Sequence, residues 1–96
     1  MKEKSSPSII YTKLFNKHRK ALPFEVKIAF REARDLFLEN PKHPSLRNHS
    51  LKSKFQGYRS IDITDDYRAI YKKRIEGDRE VITFYLIGTH KELYGM

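Results

Sequence analysis

Five residues of this sequence are suited to moving protons: His49, His90, Asp62, Asp66 and Tyr94. Histidine titrates with an ordinary pKa of about 6.5, so it serves as acid or base near neutrality. His90 and Tyr94 stand four residues apart, just beyond an apolar run over residues 81–87 that reads as a strand. Asp62 and Asp66 flank a short turn and so end adjacent strands. In a meander the last strand runs antiparallel to the strand over residues 67–73, which carries His90 toward Asp66. His49 lies on the stretch entering the sheet, within reach of the same edge. Titratable groups gathered on one rim form an acid–base constellation.

Three chemistries compete for such a set. A bound divalent ion calls for ligand spacings such as His-Glu-x-x-His, and none is present, so no metal and no other cofactor is expected. A serine hydrolase calls for a Gly-x-Ser-x-Gly elbow, which is missing, and Ser60 falls inside an expected strand. Metal-free RNA cleavage fits better. RNA carries its own nucleophile, the 2′-hydroxyl, so the protein needs only to take one proton, give another and neutralise phosphorane charge. Lys52, Lys54 and Arg59, interleaved with Phe55 and Tyr58, are placed to hold RNA backbone and stack on bases. Each residue also has a plain structural use. His43 and His49 read equally as loop histidines, Asp62 and Asp66 as turn formers, and Arg68 as half of an ion pair. Tyr71 and Tyr85 read as core, and Tyr94 as a C-terminal anchor.

The elements that must position these groups follow from patterning. Residues 9–13 are short and β-branched, a first strand. Residues 14–22 form a short basic helix. Pro23 sits at the first turn of a second helix, which runs to about Glu39 with Val26, Phe30, Ala33 and Phe37 as one buried stripe. Asn40-Pro41 ends it. Residues 41–54 are polar and interrupted. Residues 55–63 then form a strand with Phe55, Arg59, Ile61 and Ile63 on one face. Gln56, Tyr58, Ser60 and Asp62 lie on the other, a face polar enough to be exposed or functional. Thr64-Asp65 turns into the strand over residues 67–73, and Glu76-Gly77-Asp78 into the strand over residues 80–87. The expected fold is α+β, with two N-terminal helices packed on a small, mainly antiparallel sheet (β-α-α-β-β-β), one domain over residues 1–96.

Composition narrows the partners. The 96 residues are 39% apolar and 33% charged, with a net charge of +8, which favours polyanions or an acidic protein over neutral partners. Zero cysteines exclude a disulfide framework, a thiolate nucleophile and a Cys-based zinc site, and point to a reducing cytoplasm. No apolar run approaches the roughly 18 residues a membrane span needs, so no membrane role is expected. The first residues lack the apolar stretch of a secretory signal.

Three segments carry a resemblance: Gln56-Gly-Tyr-Arg59, Asp66-Tyr-Arg-Ala-Ile-Tyr71 and Ile87-Gly-Thr-His-Lys-Glu-Leu-Tyr-Gly95. Together they resemble the RelE/ParE superfamily of type II toxins, nearest its YafQ-like branch. The likeness covers Asn48 to the C-terminus, and the earlier elements by pattern only. The Gly-Thr-His-x-x-Leu-Tyr-Gly ending is its most specific part. The resemblance implies a cytoplasmic, prokaryotic, ribosome-dependent and metal-free mRNA endonuclease, held inactive by a cognate antitoxin protein. It further implies mRNA on the ribosome as substrate, and contact with operator DNA only through the antitoxin complex. By position, His49, Asp66, His90 and Tyr94 match the branch's active-site residues, with His90 as acid or phosphate ligand and His49 or Asp66 as base. Asp62 falls where the branch commonly has a second histidine, which implies reduced activity or shifted proton roles. Two rival readings remain at this point: a ParE-like toxin that poisons DNA gyrase without cutting nucleic acid, and a basic nucleic-acid or partner-binding module.

Overall fold

The computed structural model of the protein describes residues 7–95. Strand β1 (Ser8–Tyr11) leads into helices α1 (Lys13–Lys20) and α2 (Phe24–Glu39). Thr12 caps α1 by accepting the Phe15 N–H at 3.0 Å on its hydroxyl, the usual remedy for an orphaned first-turn donor. Pro23 stands one residue outside α2, as its N-cap. Four strands follow: β2 (His49–Ser50), β3 (Arg59–Asp62), β4 (Tyr67–Glu76) and β5 (Arg79–Thr89). A last helix, α3, spans His90–Tyr94.

The strands form one sheet in the order β1-β5-β4-β3-β2. β1 pairs parallel to β5, and the other pairs are antiparallel. The expected α+β plan therefore stands, with three corrections. The strand expected over residues 55–63 shortens to Arg59–Asp62, because Ser53–Phe55 closes a 3-10 turn. A two-residue strand at His49 was not foreseen. Neither was α3, whose capping box stops the chain from fraying: Thr89 accepts the Glu92 N–H, and Glu92 accepts the Thr89 N–H.

The α2 stripe lies where its spacing requires. Phe30, Ala33 and Phe37 pack with Phe15, Leu46, Ile61, Ala69, Tyr71, Ile82, Phe84 and Ile87 in the core between helices and sheet. A bulge in the β4–β5 ladder pairs Ile70 with Leu86 but Tyr71 with Phe84, skipping Tyr85. It shifts parity along β5, so Phe84 and Ile87 both face the helices. Tyr85, expected in the core, is pushed to the opposite face and is only half-buried. Tyr71 is core as expected, at 3% exposed. At the β4–β5 turn Gly77 takes a φ of 64°, a left-handed conformation that glycine adopts without steric cost.

Candidate active site

The cleft is built by cross-strand register. His49 on β2 stands opposite Ser60 on β3, and Asp62 stands opposite Arg68 on β4. Ser60 and Asp62 share one face of β3, so the four residues share the sheet face turned away from α1 and α2. At the far end of β5 the chain turns over this face. The His90 N–H donates to the Asp66 carbonyl at 2.9 Å, the approach that strand order predicted. The resulting cleft encloses about 300 Å³ between Arg47, His49, Leu51, Ser60, Asp62, Arg68, His90 and Tyr94.

His49 is the better defined of the two histidines. Its Nδ1 lies 2.7 Å from the Arg47 carbonyl. A carbonyl only accepts, so Nδ1 carries the hydrogen, and in the neutral ring Nε2 is left as an acceptor. That is the tautomer of a general base. The supporting loop is pinned by Asn48, whose side-chain oxygen accepts from Arg59 Nε at 2.9 Å and Tyr71 OH at 3.1 Å. Its amide nitrogen donates to the Pro41 carbonyl at 3.0 Å. The His90 ring is exposed and packs 4.7 Å from the Tyr94 ring. Tyr94 also meets Phe55 edge-on at 5.9 Å. Its hydroxyl and the Ser60 hydroxyl are buried without a hydrogen-bond partner, a rare state for buried polar atoms.

Asp62 does not stand free. Its Oδ1 pairs with Arg68 Nε at 3.0 Å and its Oδ2 with Arg47 Nε at 3.3 Å. Both of its carboxylate oxygens are thus engaged by arginines. Arg68 is the ion-pair residue its strand position suggested. It also donates to the Thr64 and Tyr67 carbonyls at 3.0 and 3.1 Å.

The other expected residues are placed differently. Asp66 is exposed on the turn beside the cleft and meets His90 through its backbone carbonyl. Arg59 points with Ile61 parity to the helix side of β3, where it holds Asn48. Tyr58 and Lys54 line a second, mostly apolar groove of about 300 Å³ with Phe55, Ile70, Tyr85 and Leu86. Lys54 and Lys72 lie 5.3 Å from the Phe55 and Tyr58 rings, respectively. Lys52 is exposed on the connecting loop. His43 accepts the Ser45 N–H at 3.2 Å on Nδ1 and caps a 3-10 turn, the plain loop use. Among the described residues no group of three or more His, Cys, Asp or Glu is placed to hold a metal ion. None of the helices described is long and apolar enough to cross a membrane. Two residues of the site were not singled out from the sequence, Arg47 and Asn48, whereas Ser60 lies on the polar strand face expected for it. The signal that could have found them is their place beside a titratable residue, Arg47-Asn-His49.

No family model and no curated protein matches this chain. Solved structures do. YafQ from E. coli superposes with a TM-score of 0.75 at 26% identity, over 93% of this chain and 99% of that one. A chain of the E. coli DinJ–YafQ complex matches with a TM-score of 0.69 at 25% identity, over 93% and 99%. A metal-bound toxin from Helicobacter pylori matches with a TM-score of 0.69 at 25% identity, over 92% and 99%. Along nearly its whole length the chain thus has the fold of the RelE/ParE-type toxins and is similar to YafQ.

Proposed function

We propose that this protein is the toxin of a type II toxin–antitoxin pair and acts as a ribosome-dependent mRNA endonuclease. The observation that carries the reading is the pairing of a base-competent His49 with an exposed His90 in one basic cleft. His49 Nε2 takes the proton of the 2′-hydroxyl, whose oxygen attacks the adjacent phosphorus. The bond from phosphorus to the 5′-oxygen breaks, and His90 gives that oxygen its proton. The products are a 2′,3′-cyclic phosphate and a 5′-hydroxyl, with no metal in the step. Tyr94 packs on the His90 ring and offers its unpartnered hydroxyl to the substrate. Asp66 sets the start of α3 through its carbonyl rather than acting as base. The net charge of +8 suits both RNA and an acidic antitoxin segment laid over the cleft, in keeping with the DinJ–YafQ complex among its structural neighbours.

The test is translation-coupled mRNA cleavage. Wild type cuts on ribosomes, and His90→Ala lowers the rate by about 100-fold or more, the usual contribution of a general acid. Full cutting by His90→Ala removes that residue from the mechanism. A wild type that leaves mRNA whole but blocks gyrase supercoiling transfers the protein to the non-nuclease branch of the superfamily.

A further inference from the structure

Two arginines line the cleft, and their surroundings differ. The Arg68 side chain is 13% exposed and engaged throughout, by Asp62 at 3.0 Å and by two backbone carbonyls. The Arg47 side chain is 75% exposed and pairs with Asp62 Oδ2 through Nε at 3.3 Å. Its terminal nitrogens carry no hydrogen bond among the described residues. The backbone at Arg47 is left-handed, with φ 44° and ψ 45°, where a branched or long side chain is disfavoured and glycine is not. Arg47 holds this conformation at the rim of the cleft. Independently, Ser60, 0% exposed, and Tyr94 bring unpartnered hydroxyls into the same cleft. Those atoms leave hydrogen-bonding capacity open at the cleft.

We propose that Arg47 is a phosphate-binding residue of this cleft, with Asp62 as its positioning residue. The assignment rests on the RNA-cleaving reading and deepens it. Asp62 holds Nε, which leaves the planar pair of terminal nitrogens for two oxygens of one RNA phosphodiester. Ser60 and Tyr94 hydroxyls donate to the same group. Charge developing on the phosphorane is then met by a cation fixed before substrate arrives. Arg68, with its nitrogens on Asp62 and the turn, keeps the carboxylate in place.

The experiment titrates intact protein with a fluorescent single-stranded RNA carrying 2′-O-methylribose at every position, which binds but cannot be cleaved. Arg47→Ala keeps the backbone carbonyl that holds His49, so loss of affinity reports the guanidinium. Affinity falls about tenfold, the scale of one charge-assisted pair, and the slope of log K against log salt shrinks by about 0.7. Arg74→Ala removes the same charge from the distal hairpin, where Arg74 pairs with Glu76 at 2.9 Å, and changes affinity less than twofold. Asp62→Asn gives the decisive sign. Removing a negative charge tightens RNA binding by Coulomb's law alone, whereas a loosened Arg47 weakens it, and weakening is expected. In the Arg47→Ala background Asp62→Asn causes no further loss. Circular dichroism confirms each variant folded at the titration temperature. Equal losses for Arg47→Ala and Arg74→Ala, tighter binding by Asp62→Asn, or no binding by wild type at low salt each overturn the assignment. Failure of ribosome-dependent cutting with the binding pattern intact overturns only the proposed activity.

Discussion

Asp62 shows how one residue type changes its meaning with its neighbours. Read from spacing, it is a carboxylate near a histidine and a proton acceptor. In the fold, register sets it opposite Arg68, and the left-handed corner swings Arg47 to its other oxygen. Cross-strand opposition of unlike charges is itself stabilising, and here both carboxylate oxygens are engaged by arginines. The two arginines then respond oppositely to deletion. Arg68→Ala leaves a largely buried carboxylate and two carbonyls short of partners, and chemical denaturation registers a loss of about 2–4 kcal/mol. Arg47→Gly gives up an exposed pair worth at most about 1 kcal/mol and relieves the left-handed backbone. Its stability is therefore unchanged or up to about 1 kcal/mol greater.

At the scale of elements, α3 governs the cleft. Five residues are too few for a helix to persist alone. It is held by the Thr89–Glu92 capping box, by Leu93 at 4% exposed, and by a close end at Gly95, where an added Cβ would sit 2.5 Å from the Lys91 carbonyl. Thr89→Ala removes the cap, at a cost of about 1 kcal/mol, and loosens His90 and Tyr94 together. The Thr89 backbone N–H, then its hydroxyl, hold the Glu92 carboxyl below the usual glutamate range. A depressed carboxylate stabilises the fold above its unfolded pKa of about 4.3, and that contribution disappears as pH falls through the lower folded value. NMR signals of the His90 and Tyr94 rings therefore broaden in acid below that range in wild type. Glu92→Gln, which accepts the same hydrogen bond without titrating, flattens this dependence.

For the whole molecule the aromatic core is the main reserve of stability. Phe84 is 0% exposed and lies 5.6 Å from both the Phe15 and Phe30 rings and 5.9 Å from Tyr71. Phe84→Ala removes that hub and lowers unfolding free energy by about 3–5 kcal/mol. Domains are commonly stable by only about 5–15 kcal/mol. Thermal melting should show a midpoint lowered by well over 10 °C at about 4–8 °C per kcal/mol. The same core supports both layers: helix side chains and β3–β5 residues meet there, so the register that builds the cleft depends on it.

Local patterning alone determined the α2 stripe, the proline boundary at Pro41, the Gly77 turn and the α+β plan. Strand order alone also brought His90 to Asp66. These follow from side-chain period and chain-neighbour topology, which act over a few residues or between consecutive strands. Only the tertiary structure decided the rest. The β4–β5 bulge moved Tyr85 out of the core, pairing with β3 turned His49 into a strand residue, and the capping box made a helix of the chain end. Arg59 and Asp62 each acquired a structural partner that spacing does not encode. The reason is physical: a side chain's chemistry is set by what occupies its hydrogen-bonding atoms, and those partners come from positions distant in the chain.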